Sequence, residues 1–299
     1  MVNAVEVSEL TVAFDELTAL DSVTHTFEPG TATAVMGVNG SGKTTMLECL
    51  AGLQKPTSGR ISGMSENLAY VCQHLPACWM PITAGEVLAM GRYRKRGLLG
   101  RLRGEDRSAM RAAGAQLDVN QFSRRSFGEL SGGQQQRVRI AQVLAGEPEV
   151  IMLDEPVTGL DIPSQERILD VIEEYSSRGA VVIITTHHLD EARHCDTVML
   201  MANRLVAAGP PSELLTEDRL REAFGDRVLG DHADHDHDQD IIVLDDHGHH
   251  DHGHDAHGHD HSHGSGHSHG HSEGHDHSHR GHGHDHGHHG HQGHGPHAH

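Results

Sequence analysis

The sequence predicts an α/β protein with a buried parallel sheet in its first 230 residues, followed by a long polar tail. Two apolar runs, Val150–Leu153 and Ala180–Thr185, lack alternation and are typical of strands buried on both faces of a parallel sheet. A third run, Thr33–Met36, leads through a glycine-rich loop into the helical apolar spacing of Lys43–Leu53. A strand, a glycine-rich loop and a helix in this order are the context that a phosphate-binding loop requires.

The other elements follow from apolar spacing and from turn residues. They are strands at Glu6–Phe14 and Thr24–Phe27, an irregular helical region over 74–145, a helix over Pro163–Ser177, and a mixture of strand and helix from Leu189 to about Phe224.

The end of the chain has a different composition. Of the 32 histidines, 27 lie in residues 231–299, together with 13 of the 43 acidic residues and one of the 23 basic residues. Such a segment has too little apolar surface to offset the entropy of folding. We therefore predict a folded domain at 1–230 and a disordered tail rich in His, Asp and Gly at 231–299.

The composition also excludes several classes of protein. No apolar run approaches the roughly 20 residues of a membrane span, and the N-terminus has neither the basic nor the apolar region of an export signal. Four cysteines in 299 residues do not form a disulfide framework. A net charge of −20 disfavours nucleic acid as a partner. We therefore expect a cytoplasmic protein that does not bind nucleic acid.

The glycine-rich loop reads GVNGSGKT over Gly37–Thr44 and fits the pattern G-x-x-x-x-G-K-[ST]. Its glycines let backbone N–H groups approach phosphate oxygens, and the helix that follows presents its positive N-terminal end. We expect Lys43 to reach the β- and γ-phosphates and the Thr44 hydroxyl to ligate Mg²⁺. The residues predicted to bind nucleotide here are Gly37, Asn39, Gly40, Ser41, Gly42, Lys43, Thr44 and Thr45.

Two carboxylates follow the run Val150–Leu153, at the end of a strand where ligands gather in open α/β sheets. We expect Asp154 to hold Mg²⁺, directly or through water, and Glu155 to polarise the water that attacks the γ-phosphate. Apolar runs that end in acidic residues are common, so the weight of this pattern comes from its position after the phosphate loop. Together the two motifs predict a P-loop NTPase.

A third motif, Leu130–Arg137, reads LSGGQQQR, and here the sequence resembles the ATP-binding-cassette (ABC) family over about residues 4–228. The resemblance implies an ABC nucleotide-binding domain with a RecA-like mixed sheet core, a helical subdomain at about 74–145 and an antiparallel β subdomain. It also implies an ATPase that works as a head-to-tail homodimer around two ATP molecules. The residues that would grip the γ-phosphate held by the partner subunit are Ser131, Gly132, Gly133 and Gln134.

Further positions match motifs of that family one by one. Phe14 matches an aromatic residue that stacks on adenine, although it fits core packing as well. Gln73 matches the glutamine that links Mg²⁺ and the attacking water to the membrane partner, and His187 matches the histidine that contacts the γ-phosphate. Asp161 matches the loop that crosses between the two subunits. Val157 departs from the more usual hydroxyl residue of the family.

A basic run lies in the region that the resemblance assigns to the helical subdomain. It comprises Arg92, Arg94, Lys95, Arg96, Arg101, Arg103, Arg107 and Arg111. One interpretation is a surface for a permease and anionic headgroups. The other is a solvated helix face with ion-pair partners at Glu105 and Asp106. The sequence leaves both open.

The tail repeats His-x-His units, in which the imidazoles at i and i+2 point to the same side of an extended chain. Imidazole suits Zn²⁺, Cu²⁺ and Ni²⁺. At three or four ligands each, the tail could hold roughly 6–9 exchangeable ions. The candidate zinc ligands are His235, His237, His252, His254, His257, His259, His275, His277, His282 and His284. A purification tag or a metal-free spacer explains the mixed composition less well.

These observations predict the ATP-hydrolysing subunit of a divalent metal importer, with ATP and Mg²⁺ at the cassette and Zn²⁺ on the tail. The cassette resembles the ATPases of bacterial zinc and manganese importers. The histidine tail, acting as a buffer or a sensor, favours zinc first and nickel or cobalt second. Manganese is a weaker fit because it prefers carboxylate and water ligands.

The resemblance implies three partners: a second copy of the chain, integral-membrane permease subunits and an extracytoplasmic metal-binding protein. The implied location is the inner face of the plasma membrane, as a peripheral protein. A soluble metallochaperone GTPase is disfavoured because the chain lacks an Asn-Lys-x-Asp motif that reads guanine. A non-transport cassette protein and a metal store with a vestigial cassette are weaker alternatives, since no second cassette is visible and no catalytic residue is missing.

Overall fold

The computed structural model describes residues 2–73, 81–97 and 100–225. In that part of the chain, the strands form one three-stranded and one six-stranded sheet, and helices lie between them in sequence. This arrangement confirms the predicted α/β class with a mixed sheet core and an antiparallel β subdomain. The domain boundary predicted at residue 230 lies outside the described residues and stays a prediction.

The three-stranded sheet is antiparallel and has the order β2-β1-β4. Its strands are β1 (Val5–Phe14), β2 (Leu17–Phe27) and β4 (Ser58–Ser62). The sequence predicted the second strand only from Thr24, and this start was wrong by seven residues. The first residues of β2 do not alternate: Leu17, Thr18, Asp21 and Ser22 are exposed, whereas Ala19, Leu20 and Val23 are buried. Register shifts in the pairing with β1 break the period of two, so the apolar pattern did not indicate a strand here.

The six-stranded sheet has the order β5-β6-β7-β3-β8-β9. Its strands are β3 (Ala32–Met36), β5 (Leu68–Val71), β6 (Val150–Asp154), β7 (Val181–Thr186), β8 (Thr197–Met201) and β9 (Leu205–Gly209). All neighbours are parallel except β8 and β9, which pair antiparallel. Every residue of β3, β6 and β7 is buried, as the unbroken apolar runs predicted.

The helices are α1 (Lys43–Leu50), α2 (Ala84–Met90), α3 (Tyr93–Arg96), α4 (Gly104–Gln116), α5 (Gly132–Ala145), α6 (Ile162–Ser177), α7 (Leu189–Arg193), α8 (Pro211–Leu214) and α9 (Glu217–Phe224). Among them, α2 and α4 pack on α5 and form the helical region. The sequence extended α1 to Leu53, which was wrong because Gly52 adopts a φ of +73° and Leu53 is exposed. No described helix is both long enough and apolar enough to cross a membrane.

Two apolar clusters cover opposite faces of the six-stranded sheet. In β6, Ile151 and Leu153 pack toward α5 and α6, whereas Val150 and Met152 pack toward α1 and the antiparallel sheet. Alternate residues point to opposite faces of a strand, so the sheet is the middle layer of the domain. The loops that follow β3 and β6 therefore emerge at the same edge, on either side of β7.

Candidate functional site

The phosphate loop joins β3 to α1 and is shaped by two close approaches of backbone. A Cβ atom at Gly37 would lie 2.4 Å from the Met201 carbonyl oxygen, and one at Gly42 would lie 2.5 Å from the Ala19 carbonyl oxygen. Both positions therefore require glycine. Gly40 has a φ of +78° and nothing within 4 Å of its Cβ position, so the outer side of the loop is open to a ligand.

Lys43 lies at the first position of α1, and its side chain turns back into the loop. Its Nζ donates to the carbonyl oxygens of Gly37, at 2.8 Å, and Val38, at 3.1 Å. The side chain is buried, so the loop wraps a fixed positive charge. This is the charge that phosphate binding requires, and the role itself stays a prediction.

Asp154 ends β6, and hydroxyl groups contact both of its carboxylate oxygens. Thr44 Oγ1 donates to Oδ2 at 3.0 Å, and Thr185 Oγ1 donates to Oδ1. The Thr185 hydroxyl also accepts the backbone N–H of Glu155 at 2.9 Å. Thr185 was not predicted from the sequence. The sequence shows only that Thr185 ends an apolar run, and the structure is needed to show that this run pairs with the strand of Asp154. Hydroxyl and carboxylate oxygens are the hard ligands that Mg²⁺ prefers, so Thr44 and Asp154 fit the predicted ion.

Glu155 has a φ of +47°, a backbone conformation that a residue with a long side chain adopts at a cost. Its Oε2 accepts from Gln73 Nε2 at 2.6 Å and from Thr158 Oγ1 at 3.2 Å. Its Oε1 lies 3.4 Å from His187 Nδ1, which is an ion-pair distance and long for a hydrogen bond. Val157, which stands where the family more usually has a hydroxyl residue, is fully buried. The hydroxyl that contacts the Glu155 carboxylate belongs to Thr158, one residue later.

Glu155 and His187 shift each other's pKa. The imidazole of His187, with a smaller effect of Lys43, lowers the pKa of the Glu155 carboxyl despite its partial burial. Glu155 in turn raises the pKa of His187. Behind them, burial raises the pKa of Glu191 to about 7. The site therefore holds an ionised carboxylate beside an imidazole that gains a proton more readily than usual.

We expect this pair to make the free energy of unfolding depend on pH. The contribution of Glu155 is complete above its unfolded pKa of 4.5 and is lost as the pH falls through its lower folded value. The contribution of His187 is complete below its unfolded pKa of 6.5 and is lost as the pH rises through its higher folded value. Urea unfolding of the wild type and of His187→Ala checks this: their difference should be larger at about pH 5.5 than at about pH 8.5. A difference that is the same at both pH values contradicts it.

A cavity of about 450 Å³ lies over the phosphate loop, which is within the size range of ligand pockets. The predicted site residues that line it are Phe14, Asn39, Gly40, Gly42, Lys43, Thr44, Thr45, Gln73 and Glu155. The structure thus brings together residues that are more than 140 positions apart. Phe14 is 44% exposed at the cavity wall, where a nucleobase could contact it, and adenine stacking stays a prediction.

The motif at the start of α5 is not part of this cavity lining. Ser131 precedes the helix, where its Oγ accepts the backbone N–H of Gln134 at 3.3 Å, and Gly132 has open space around its Cβ position. A Cβ atom at Gly133 would lie 3.6 Å from Asp161 Oδ1. The motif and the predicted crossing loop therefore neighbour each other, apart from the phosphate loop of the same chain.

Asn203 is a second residue that sequence reasoning missed. It lies in the turn between β8 and β9 with a φ of +58°, and its Nδ2 donates to the carbonyl oxygens of Ala19 and Gly40, each at 3.1 Å. Its backbone N–H also donates to the Ser41 carbonyl oxygen at 2.9 Å. One side chain thus ties the phosphate loop to β2. The sequence signals only the turn, because asparagine tolerates positive φ in tight turns, and it does not signal the contacts with Ala19 and Gly40.

We expect Asn203→Gly to raise the KM for ATP about threefold to tenfold, because glycine keeps the left-handed backbone but removes the amide that holds the Gly40 carbonyl. Steady-state ATPase kinetics measures this. Asn203→Asp, which also tolerates the turn but cannot donate, should have a KM raised at least as much. A KM unchanged in both variants would show that the amide does not position the loop.

The predicted zinc ligands of the tail lie outside the described residues. They are His235, His237, His252, His254, His257, His259, His275, His277, His282 and His284, and their role stays a prediction. Within residues 2–73, 81–97 and 100–225, no group of three or more His, Cys, Asp or Glu side chains is arranged to hold a metal ion.

Comparison with known proteins adds an independent result. A family model described as ABC transporter matches residues 20–158. The chain is 35% identical over 218 residues to the manganese transport system ATP-binding protein MntA of Synechocystis sp., and the match covers 69% of this chain and 84% of that protein.

Solved structures give the same result for the fold. An ABC transporter assigned to the metal-chelate type, in an inward-facing conformation, matches with a TM-score of 0.67 at 26% identity, over 75% of this chain and 89% of that chain. A dimeric bacterial ABC transporter cassette matches with a TM-score of 0.62 at 25% identity, over 69% of this chain and 98% of that chain.

Proposed function

We propose that this chain, which belongs to the ABC transporter family, is the ATP-hydrolysing subunit of a transporter that imports a divalent metal ion. The family membership makes the chain an ATPase, which confirms the activity predicted from the sequence. The observation that carries the proposal is the convergence of Lys43, Thr44 and Glu155 on one cavity, with the buried Asp154 in contact with the Thr44 hydroxyl. A phosphate-binding charge, a magnesium site and a carboxylate base are what ATP hydrolysis requires.

Each of these residues performs one step. The N–H groups of the phosphate loop and the Lys43 ammonium bind the phosphate chain, since both lie on the loop that Gly40 leaves open. Thr44 and Asp154 would hold Mg²⁺, which supplies electrostatic stabilisation of the phosphate oxygens when it is bound. Glu155, with its pKa held low beside His187, stays ionised and accepts hydrogen bonds from the attacking water. Gln73 and Thr158 fix the orientation of that carboxylate.

We further infer that two copies complete each other's site. The serine and glycines of the α5 motif present a helix N-terminus, and such an end binds anions. This end does not line the cavity of its own chain. A head-to-tail pair would place the Ser131 motif of one copy on the phosphates held by the other. The similarity to a dimeric cassette supports this arrangement.

Zinc is the first candidate for the transported ion. The support is the tail, in which 27 histidines offer imidazole ligands that suit Zn²⁺ better than Mn²⁺. Manganese is the second candidate, and the specific observation that favours it is the similarity to a manganese transport ATP-binding protein. In either case the tail would bind divalent metal ions as a buffer or a sensor. Its affinity for them should fall as the pH drops through about 6.5, because binding requires neutral imidazole.

The proposal also names partners and a location. An ATPase of this family would act on integral-membrane permease subunits, and an extracytoplasmic metal-binding protein would deliver the ion to them. The subunit would then lie on the inner face of the plasma membrane. The similarity to an inward-facing ABC transporter supports the permease partner.

We expect cells that lack this chain to lose uptake of one metal, and wild-type protein but not Glu155→Gln to restore it. Inductively coupled plasma mass spectrometry of cell-associated zinc, manganese, nickel and cobalt measures the result. A loss confined to zinc supports the first candidate, and a loss confined to manganese supports the second. Unchanged content of all four metals contradicts the proposal.

A further inference from the structure

Six residues of the basic run form two groups in the structure, and Arg94 and Arg101 belong to neither. Arg92 and Arg96 both donate to Asp106 at 2.8 Å, and Lys95 donates to Glu147 at 2.7 Å. Arg92 is 3% exposed and Asp106 is fully buried. These three cations are therefore structural: they join α3 to α4 and to the loop before β6. The predicted pairing with Asp106 is confirmed for Arg92 and Arg96, but Lys95 pairs with Glu147 instead, and Arg92 and Asp106 are buried rather than on a solvated face.

The second group lies at the start of α4 and along it, and has no such partners among the described residues. Arg103 precedes the helix, and Arg107 and Arg111 follow at intervals of four residues. Residues at this spacing lie on one face of a helix, about 6 Å apart along its axis. All three are exposed, and among the residues described by the structure none of the three side chains forms an ion pair. We call Arg103, Arg107 and Arg111 the arginine face.

Like charges at this spacing repel each other, so the arginine face is poised for an anion. The acidic groups of α4 cannot compensate it. Asp106 is occupied by Arg92 and Arg96, and Glu105 pairs with Arg96. The arginine face therefore carries an uncompensated positive charge that an acidic segment of the chain could bind.

The chain carries a matching anion just after its last described residue. Residues 231–246 read DHADHDHDQDIIVLDD, with seven aspartates and no lysine or arginine. We call this stretch the acidic segment. Four of its aspartates, Asp234, Asp236, Asp238 and Asp240, recur at every second position. In an extended chain such residues point to one side and lie about 6.6 Å apart, close to the repeat of about 6 Å on the arginine face.

We propose that the acidic segment docks along the arginine face of α4. The length of the intervening chain allows it: the nine residues from Gly225 to Asp234 span up to about 30 Å, and the fifteen to Asp240 up to about 50 Å. A folded domain of this size is about 45 Å across. Each contact is an exposed ion pair, so the docking is weak, reversible and sensitive to salt.

Metal binding opposes this docking. His235 and His237 alternate with the docking aspartates, and an ion bound there adds positive charge beside Asp236 and recruits its oxygens. The segment then loses the charge that holds it on α4. Metal binding by the tail would thus release the acidic segment from the cassette. This metal-dependent half rests on the proposed metal binding by the tail, whereas the docking itself does not.

Carbodiimide cross-linking of the full chain tests the proposal, because it joins a lysine amine to a carboxylate only when they are in contact. The variants Arg107→Lys and Arg111→Lys keep the charge and supply the amine. Without metal, both should form links to Asp234–Asp240, identified by mass spectrometry. The links should fall about fivefold in about 0.5 M NaCl, and by a similar factor when Zn²⁺ is added. The Lys95–Glu147 pair is an internal positive control in every sample.

Arg60→Lys is the matched control, since Arg60 is an exposed arginine on β4, outside the arginine face. It should form no links to the acidic segment. The docking is wrong if Arg107→Lys and Arg111→Lys form no such links while Lys95–Glu147 does, or if Arg60→Lys links equally well. Pelleting with phosphatidylserine vesicles that Arg107→Gln abolishes, in the absence of such links, would assign the face to a membrane and overturn the proposal. Links that persist unchanged with Zn²⁺ would overturn the metal-dependent half. ATPase activity of the same samples tests the proposed function separately.

Discussion

Glu155→Gln is expected to reduce ATP hydrolysis by about two to four orders of magnitude while leaving ATP binding intact. Glutamine keeps the shape and can still accept from Gln73 and Thr158, but it carries no negative charge for the attacking water. The pKa of Glu155, lowered by His187, keeps the wild-type carboxylate ionised at neutral pH, so the substitution removes a charge that is present. A phosphate-release assay and equilibrium binding of a fluorescent ATP analogue measure the two properties.

Glu149→Gln is the matched control for this substitution, because Glu149 lies before the same strand, β6, and contacts Ser65 rather than the cavity. It should hydrolyse ATP at a rate close to the wild type. If Glu155→Gln retained more than about half of the wild-type rate, Glu155 would not be the group that acts on water.

Lys43→Ala is expected to weaken ATP binding by about 100-fold or more, which is the effect of losing a charge-assisted contact to phosphate. The structure adds a second reason. The ammonium group also donates to the Gly37 and Val38 carbonyl oxygens, so its loss removes two hydrogen bonds that hold the loop in shape. Isothermal titration with ATP and Mg²⁺ measures the affinity.

The matched control for this second variant is Lys55→Ala, an exposed lysine between α1 and β4. Its affinity for ATP should equal that of the wild type. A Lys43→Ala protein that binds ATP as tightly as Lys55→Ala would contradict the assignment of the cavity to nucleotide.

The phosphate loop and the strand that ends at Asp154 were predictable because each depends on local spacing. Glycines at fixed positions let the loop turn, and an unbroken apolar run indicates burial on both faces. These signals lie within a few residues of each other in sequence. The buried parallel strands were predictable for the same reason, whereas the mixed sheet core and the helical subdomain were expected only from the resemblance to the ABC family.

The contacts that orient the site were not predictable in this way. Thr185 reaches Asp154 from the next strand, and Asn203 reaches Gly40 from a turn more than 160 residues away. Such contacts follow from strand order and register, which the one-dimensional pattern does not specify. The start of β2 failed for the same reason, since register shifts in its pairing with β1 break the alternation of its apolar residues.

The basic run shows where charge patterns mislead. Arg92 is as basic in sequence as Arg107, yet the first is buried against Asp106 and the second is exposed. The difference depends on Glu147 and Asp106, which lie 55 and 14 residues from Arg92 along the chain. A run of like charges therefore predicts a surface only after its partners have been placed.

The central claim is that two copies close head to tail around ATP, each with its Ser131 motif on the other's phosphates. Light scattering of Glu155→Gln with ATP and Mg²⁺ tests it most directly. We expect a particle of about twice the 32.4 kDa of one chain, formed only with ATP and abolished when Ser131→Arg is added. A particle that stays at 32.4 kDa with ATP, or a dimer that forms equally well with Ser131→Arg, would rule out the head-to-tail pair.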